Sequence, residues 1–304
     1  MDLRLLENLR GVVTISLNTV NTIFWFIPII VMTFIKIVTP VSSWRARLTQ
    51  WIMLMGENWI SVNNLIFRVL LPIEWDIRQS GTLDQREWYL MISNHQSWVD
   101  IVALQKAFNR RTPFLKFFIK QILVWVPFLG QAWWAMDMPF MKRYTRAYLE
   151  KHPEKRGLDM AATRKACEKF STTPTTVINF VEGTRFTEAK QADSKSPYEH
   201  LLQPRAGGVA FALDAMGGIL NSLIDVTIVY PQKENSFWDF LCGRLRKVII
   251  DIRVKKLDEW LVSGDYAEDE QFRARFQQWI SGLWEEKDQL ITSINAEQAP
   301  QPAI

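Results

Sequence analysis

The sequence predicts an α/β protein: a mixed, largely parallel sheet flanked by helices, with a two-helix membrane anchor at the N-terminus. Three observations lead to this fold class. From about residue 72 onward, short apolar runs rich in β-branched residues alternate with segments of helical periodicity. Residues 11–35 carry no charge, and they lie between Arg10 and Lys36. A second apolar stretch covers about residues 49–71.

The first apolar stretch is long enough to cross about 30 Å of hydrocarbon as a helix. Asn18 and Asn21 make its first half more polar, and Pro28 is expected to kink it. The stretch is too long for a cleaved signal peptide, and no small-residue cleavage site follows it. We therefore expect a helix that spans a membrane or lies deeply in it, with a buried core helix as the alternative.

The second apolar stretch carries a single polar stripe. Glu57, Ser61, Asn64 and Arg68 recur at helical intervals, which places them on one face, while apolar residues cover the rest. A helix of this kind suits partial insertion into one leaflet or packing under a soluble domain. We expect residues 1–72 to form the membrane-anchoring helices.

Residues 73–295 are expected to form one α/β domain that ends in an amphipathic helix. Apolar, β-branched runs predict strands at 88–93, 175–181, 225–230 and 248–254. Helical spacing predicts helices at 98–108, 158–171 and 207–216, and a C-terminal helix with apolar residues between Phe272 and Trp284. Polar, Pro-containing composition predicts a long loop at 186–205 and a disordered tail at 296–304.

The composition excludes several classes of protein. Lys and Arg total 36 against 32 acidic residues, and this net charge of +4 is too small and too evenly spread for a nucleic-acid-binding protein. Two cysteines, Cys167 and Cys242, are too few for a disulfide framework and, with three scattered histidines, give no support for a metal site. We therefore expect reduced thiols, no metal and no cofactor. The 14 Trp residues favour boundaries between apolar and aqueous surroundings, such as membrane interfaces.

His95 is the first candidate for chemistry. It directly follows the predicted strand 88–93, and the C-terminal ends of strands form the usual binding crevice of an open α/β sheet. The turn into the next helix can bring the Asp100 carboxylate back to the imidazole, and such a pair can act as a general base. The alternative for Asp100 is a helix cap, because Ser97 and Asp100 match the S-x-x-D capping pattern.

A second polar group, residues 182–185, follows the predicted strand 175–181. Gly183 allows a tight turn, and Glu182 and Arg185 bring an acid and a guanidinium to the same edge of the sheet. Arginine is suited to bidentate phosphate binding. An ordinary turn with surface charges is the alternative.

A third group is basic and aromatic. Lys116 and Lys120 precede the apolar segment 125–130, and Lys142 and Arg143 follow a second one. Cations that alternate with large apolar groups are typical of a surface beside phospholipid headgroups. A solvated charged face is the alternative.

In this order, the three groups resemble the motifs of the glycerophospholipid acyltransferase family, and more narrowly those of the PlsC-type 1-acyl-glycerol-3-phosphate acyltransferases. The family's NHxxxxD block is matched by Asn94, His95 and Asp100. Its second block joins a Lys, seven positions before a Pro, to a later Arg. Lys120 and Arg143 match that spacing.

The family's third block, usually FPEGTR, is matched by residues 182–185, with Val181 in place of the Pro. A looser fourth block is found in the predicted strand 225–230 and Pro231. These variants are similar to the branch that contains eukaryotic lysophospholipid and lysocardiolipin acyltransferases and the bacterial YihG-type acyltransferases. The resemblance covers roughly residues 85–235.

The resemblance implies transfer of a fatty acyl group from a thioester, acyl-CoA or acyl-ACP, to the free hydroxyl of a lysophospholipid such as lysophosphatidic acid. It implies that His95 is the general base, that Asp100 orients the imidazole, and that no protein nucleophile is needed. Substrate binding is implied for Lys120, Arg143, Glu182, Gly183, Thr184 and Arg185.

Two other functions stay open on the sequence alone: a membrane-anchored lipid thioesterase or esterase, and a non-catalytic lipid-binding protein. The expected partners are membrane phospholipids and acyl-CoA or acyl carrier protein, and no nucleic acid. Lys36, Arg45 and Arg47 follow the first apolar stretch, against only Arg4 and Arg10 before it. This asymmetry favours a cytoplasmic side for the α/β domain. The resemblance to the bacterial branch implies a bacterial inner (cytoplasmic) membrane location.

Overall fold

The computed structural model describes residues 3–141, 170, 173–216, 219–220, 222–232, 235–266 and 268–298. Arg143, Cys167 and nearly all of the helix predicted at 158–171 lie outside these ranges.

The described strands are short. Their bounds are β1 Glu74–Ser80, β2 Tyr89–Ser93, β3 Leu115–Phe117, β4 Ile119–Lys120, β5 Phe140–Met141, β6 Thr176–Phe180, β7 Ser222–Val229 and β8 Lys247–Lys256. The four strands predicted from the sequence correspond to β2, β6, β7 and β8.

The described α-helices differ widely in length. Their bounds are α1 Leu3–Val38, α2 Ser42–Leu70, α3 Val99–Phe108, α4 Leu129–Ala135, α5 Glu188–Ser194, α6 Ala206–Met216, α7 Phe237–Cys242 and α8 Glu270–Gln298. Short 3-10 helices lie at Gln121–Trp125 and Glu259–Val262.

Six of the described strands form one mixed sheet in the order β1-β8-β7-β2-β6-β3. β7, β2, β6 and β3 are parallel to one another, β8 is antiparallel to β7, and β1 is parallel to β8. Ser93 lies opposite Phe180, so the C-terminal ends of β2 and β6 lie side by side. The predicted fold class is confirmed.

Helices cover both faces of this sheet. Along β2, Leu90 and Ile92 pack with α6 and α8 on one face, while Tyr89 and Met91 pack with α3 and α7 on the other. Alternate residues of a strand point to opposite faces, so a strand covered on both sides is apolar throughout. This is why β2 is recognisable in the sequence as an unbroken apolar run.

The two N-terminal helices pack together through polar as well as apolar side chains. The Asn21 amide donates to Asn63 Oδ1 at 2.8 Å and to the carbonyl of Trp59 at 3.0 Å. The Trp59 indole donates to Thr22 Oγ1 at 3.1 Å. Several of the polar residues that interrupt the first apolar stretch are thus satisfied within the helix pair, and α1 continues through Pro28.

Both ends of α1 are attached to the α/β domain. Near the start of the helix, Glu7 forms an ion pair with Arg244 at 2.9 Å. A Cβ at Gly11 would lie 2.7 Å from Cys242 Sγ, so the helix approaches α7 closely there. Near the other end, Lys36 pairs with Asp137 at 2.9 Å. Residues 7 and 36 are about 44 Å apart along a helix, so α1 runs along the domain rather than away from it.

By length and composition, α1 is the one helix in the described part of the chain that could cross a membrane. Most of its apolar side chains face outward, and exposed apolar groups continue onto α2 and the segment between β4 and β5. We call this region the apolar surface. Its large members beyond α1 are Trp44, Trp51, Leu54, Ile122, Trp125 and Trp134.

Several parts of the chain differ from the sequence-based expectations, and β3, β4, β5, α4 and α7 were not predicted. The loop predicted at 186–205 contains α5, whose first turn is capped by the Thr187 hydroxyl. α8 continues to Gln298, so residues 296–298 are helical rather than disordered. β1 lies at an edge of the sheet and alternates polar with apolar residues, and this weak pattern is why no strand was predicted there.

Candidate active site

Two loops meet at the edge of the sheet where β2 and β6 end. One, residues 94–98, joins β2 to α3, whose first turn carries Asp100, and the other, residues 181–187, joins β6 to α5. The backbone N–H of Phe186 donates to the carbonyl of His95 at 2.7 Å, which ties the two loops together. We call the space between these loops the crevice.

Asn94 fixes the first loop to the sheet. Its side-chain amide donates to the carbonyl of Ile228 at 2.9 Å and accepts from the N–H of the same residue at 2.9 Å. Asn94 is fully buried, and this paired contact satisfies its amide on a neighbouring strand. The loop therefore leaves β2 in a defined direction, with His95 next in the chain.

Asp100 organises the turn that follows. Its Oδ2 atom accepts from His95 Nδ1 at 2.7 Å and from the backbone N–H groups of Gln96 and Ser97 at 2.7 and 2.9 Å. Its Oδ1 atom accepts from the hydroxyl of Tyr230. Burial next to this carboxylate raises the pKa of the Tyr230 hydroxyl well above its ordinary value, so the hydroxyl remains a donor. Asp100 thus holds the turn and contacts the imidazole at the same time.

His95 lies at the boundary between the core and solvent. Its side chain is 17% exposed, whereas that of Asp100 is 0% exposed. The imidazole stacks on Phe180, the last residue of β6, with ring centres 4.1 Å apart and planes inclined by 17°. Asp100 contacts one nitrogen of the ring and Phe180 stacks on one face, and among the described residues the second nitrogen forms no hydrogen bond.

Glu182 is placed differently from the expectation. The sequence predicts that it binds substrate, but its side chain is 1% exposed, and its oxygens accept from the backbone N–H groups of His95 at 3.0 Å and Leu202 at 2.9 Å. Burial raises the pKa of its carboxyl to about 7, against the opposing effect of these two hydrogen bonds. Glu182 therefore joins the His95 loop to residue 202 through two backbone hydrogen bonds.

Gly183 and Thr184 form the tight turn after Glu182. Gly183 has φ of +69°, a conformation that favours glycine, and its N–H donates to the carbonyl of Phe180 at 2.9 Å. The Thr184 hydroxyl accepts from Lys190 Nζ at 2.8 Å, and Lys190 also donates to the carbonyl of Arg185 at 2.8 Å. The turn is therefore held by α5.

Arg185 is exposed at the rim of the crevice. Its guanidinium carbon lies 4.8 Å from the centre of the Trp98 ring, and Trp98 belongs to the His95 loop. This cation–π contact places a guanidinium beside the loop that carries the imidazole. The acid and guanidinium predicted near one another are thus separated by burial: Glu182 is inside and Arg185 outside.

The two predicted lysines have different surroundings. Lys120 is exposed at the end of β4, and among the described residues it forms no hydrogen bond or ion pair with His95 or Arg185. Lys116 is 3% exposed, and its ammonium donates to the carbonyl of Met136. Lys116 therefore lies neither on a headgroup-binding surface nor on a solvated charged face, the two alternatives from the sequence, because it is buried. Arg143 lies outside the described residues.

Sequence reasoning missed the roles of Tyr230 and Phe180. Tyr230 reaches Asp100 from the residue directly after β7, and Phe180 supports the imidazole from β6. Both are apolar-run residues in the sequence and carry no local signal for these contacts. Among the described residues, no group of three or more His, Cys, Asp and Glu side chains is arranged to hold a metal ion.

The chain is similar to known proteins in sequence and in fold. The 1-acyl-sn-glycerol-3-phosphate acyltransferase epsilon of Mus musculus is 23% identical over 228 residues, which are 68% of this chain and 58% of that protein. The gamma enzyme of the same organism is 28% identical over 67% of this chain and 53% of that protein. The chain thus spans little more than half the length of these curated relatives.

A solved structure shares the fold. The 1-acyl-sn-glycerophosphate (LPA) acyltransferase PlsC from Thermotoga maritima superposes with a TM-score of 0.55 at 15% identity, covering 94% of this chain and 98% of that one. The family model described as Acyltransferase matches residues 75–231, which contain both loops of the crevice. The chain is thus similar in sequence and fold to PlsC-type 1-acyl-sn-glycerol-3-phosphate acyltransferases, and it belongs to the acyltransferase family.

Proposed function

We propose that this protein transfers a fatty acyl group from a thioester, acyl-CoA or acyl-ACP, to the free hydroxyl of a lysophospholipid such as lysophosphatidic acid. The observation that carries the proposal is the 2.7 Å contact between His95 Nδ1 and a fully buried Asp100, at the end of β2 and open to the crevice. Relatives named as 1-acyl-sn-glycerol-3-phosphate acyltransferases support the same class of reaction.

His95 is the general base in this proposal. Its Nδ1–H donates to the ionised Asp100, which leaves the lone pair of Nε2 to accept the proton of the acceptor hydroxyl. The acceptor oxygen attacks the thioester carbonyl carbon, a C–O bond forms and the C–S bond breaks. The departing thiolate takes the proton from the imidazolium. The products are the diacyl lipid and the free thiol, and His95 returns to its neutral form.

Arg185 is proposed to bind the phosphate of the acceptor. It is exposed beside the His95 loop, and the Trp98 ring supports its guanidinium. A charged hydrogen bond of this kind contributes about 1.5–3 kcal/mol. Lys120 and Arg143 are proposed as further cations of the phosphate site, on the strength of their match to the family motif.

Membrane attachment is proposed to occur through one leaflet. Glu7 and Lys36, near opposite ends of α1, are both paired with residues of the α/β domain. The outer face of α1 belongs to the apolar surface. A helix held along the domain in this way buries its outer face in lipid without crossing it. Cysteines introduced at both ends of α1 should be labelled from the same side of the membrane; labelling from opposite sides would contradict this arrangement.

This attachment has a consequence for catalysis. A lysophospholipid stays in the bilayer, so an embedded enzyme meets its acceptor without extracting it. Holding donor and acceptor together contributes at most about 7–11 kcal/mol to lowering the barrier. We propose a bacterial inner membrane location, which the family resemblance implies, with the α/β domain on the cytoplasmic side, because the exposed Arg45 and Arg47 favour the anionic surface of the cytoplasmic leaflet.

The test is acceptor dependence. Purified protein in mixed micelles is supplied with acyl-CoA or acyl-ACP, with and without lysophosphatidic acid, and products are identified by mass spectrometry. The proposal predicts free thiol and phosphatidic acid in equal amounts, and little release without acceptor. Equal release of free fatty acid with and without acceptor would identify a thioesterase, and binding without turnover would identify a lipid-binding protein.

A further inference from the structure

A second polar pocket lies beside the crevice. It has a volume of about 450 Å³, and its lining includes Glu182, Thr184, Lys190, Asp193 and Arg205, but neither His95 nor Arg185. Because Glu182 bonds to the His95 N–H through one oxygen and to the Leu202 N–H through the other, a single side chain connects the crevice to the chain segment that forms the pocket.

The backbone of Arg205 is held by a hydrogen bond, and its side chain is exposed. Its N–H donates to the carbonyl of Val181 at 2.9 Å, directly after β6. A methyl group added at Gly183 would lie 3.4 Å from Cδ and 3.7 Å from Nη1 of Arg205, so the side chain runs past the Gly183 turn. The guanidinium is exposed, and among the described residues no carboxylate forms an ion pair with it.

The charges around the pocket favour an anion. Arg205 and Lys190 bring two cations, and Lys190 uses two of its three donors on Thr184 Oγ1 and the carbonyl of Arg185. Asp193 brings one exposed carboxylate, and Glu182 is buried against backbone donors. The pocket therefore has two cations and one exposed carboxylate. The planar guanidinium of an arginine can donate two hydrogen bonds to the oxygens of a phosphate.

We propose that Arg205 binds a phosphate group of one of the two substrates in this pocket, as a second guanidinium distinct from Arg185. The inference rests on the proposed acyl transfer. Lysophospholipid acceptors and acyl-CoA both carry phosphate, so the shared ligand is a phosphate ester, and its source is left to the experiment. In either case the bound phosphate lies one side chain, Glu182, away from the His95 loop.

The experiment compares Arg205→Ala, Arg205→Lys and Arg86→Ala with the wild-type protein. Arg86 is an exposed arginine in the turn before β2, at the end of that strand opposite the crevice, and serves as the matched control. For each protein, kcat and KM are measured separately for lysophosphatidic acid and for acyl-CoA. The thermal midpoint is measured to detect any loss of folding.

We expect Arg205→Ala to raise KM for one substrate about 10-fold, which corresponds to about 1.4 kcal/mol. We expect kcat to change less than 2-fold, Arg205→Lys to restore part of the loss, and Arg86→Ala to match wild type. A raised KM for lysophosphatidic acid alone assigns the phosphate to the acceptor, and a raised KM for acyl-CoA alone assigns it to the donor. Unchanged KM values for both substrates, or a fall in kcat without a change in KM, would overturn the inference.

Failure of the proposed function can be told apart from failure of this inference. If the wild-type protein turns over and Arg205→Ala keeps both KM values, the inference alone fails. If the wild-type protein does not turn over, the proposed function fails. Calorimetric titration of lysophosphatidic acid and of CoA into wild type and Arg205→Ala then decides whether Arg205 binds phosphate, because equal affinities would overturn it.

Discussion

Asp100, in the first turn of α3, and Asp225, in β7, are both buried carboxylates, yet their surroundings differ. Asp225 lies within β7 and pairs with Lys287 of α8 at 2.6 Å, and both side chains are almost completely buried. Asp100 pairs with His95, whose ring reaches solvent in the crevice. One carboxylate faces a cation enclosed by the core, and the other faces a titratable ring that a ligand can reach.

The Lys287 ammonium is fully satisfied inside the protein. Besides Asp225, it donates to the carbonyl of Val226 at 2.6 Å and to Thr227 Oγ1 at 3.0 Å. Burial lowers the pKa of Lys287, and the Asp225 carboxylate opposes that effect. All three donors are used, so this pair attaches α8 to the sheet and has no capacity for a ligand. The two buried carboxylates therefore differ in the access that a ligand has to the partner: the His95 ring reaches the crevice, and the Lys287 ammonium is enclosed.

The largest effect on folding is expected from breaking the enclosed pair. Lys287→Met leaves Asp225 buried without its cation, which should lower the free energy of unfolding by about 3–5 kcal/mol. Turnover per folded molecule should stay within a few-fold of wild type, because among the described residues neither Asp225 nor Lys287 forms a hydrogen bond with His95 or Asp100. Chemical unfolding in detergent and initial rates measure the two quantities.

The double variant Asp225→Leu/Lys287→Met is the matched control for that experiment. Replacing both partners by apolar residues removes the unpaired charge, so much of the lost stability should return. A double variant no more stable than Lys287→Met, or a single variant that is stable but inactive, would contradict the division between the two carboxylates.

A pH-dependent effect of intermediate size is expected at Glu182. Its folded pKa of about 7 exceeds the ordinary value of 4.5, so between these values the folded protein keeps a proton that the unfolded chain has released. This group's contribution to stability is therefore complete below about pH 4.5 and is lost as pH rises through 7, by an amount on the order of 3 kcal/mol.

Glu182→Gln should remove that pH dependence. The glutamine has one acceptor oxygen for two backbone donors, so the variant should also be less stable at low pH by about 1–3 kcal/mol. Thermal midpoints of wild type and variant between pH 4.5 and 8 should converge as pH rises. Parallel curves over this range would show that Glu182 is not the titrating group.

The smallest effect is expected at the rim of the crevice. Trp98→Ala removes the ring under Arg185, and an exposed cation–π contact is worth about 0.5–1 kcal/mol. KM for lysophosphatidic acid should therefore rise about 2- to 5-fold, with kcat nearly unchanged. Trp98→Phe keeps an aromatic face and should lie between the two. Equal increases for acceptors with and without phosphate would argue against a phosphate role for Arg185.

Much of the fold follows from local sequence patterns. β2, β6, β7 and β8 are covered by helices or neighbouring strands, and their high content of apolar and β-branched residues made them predictable. β1 was missed because an edge strand needs no apolar run. The helices α1 and α2 were predicted as apolar stretches, but the attachment of both ends of α1 depends on Arg244 and Asp137, which are distant in the chain.

The site was predictable where it depends on short spacing. His95 and Asp100 are five residues apart, and the expected contact between them is present. Tyr230 bonds to Asp100 across 130 residues, and Lys287 pairs with Asp225 across 62. Neither pairing has a local signal. The same holds for Glu182, whose oxygens accept from the N–H groups of His95 and Leu202, 87 and 20 residues away in the chain.

The central claim is that the imidazole of His95 removes the acceptor proton, and the most direct test is the rate of phosphatidic acid formation by His95→Ala. The account predicts a loss of about 100- to 10,000-fold, with an unchanged thermal midpoint and unchanged membrane association. His200→Ala is the control, because that histidine contacts Thr292 on α8 at 3.2 Å and should keep the wild-type rate. Near-normal turnover by folded His95→Ala would contradict the account.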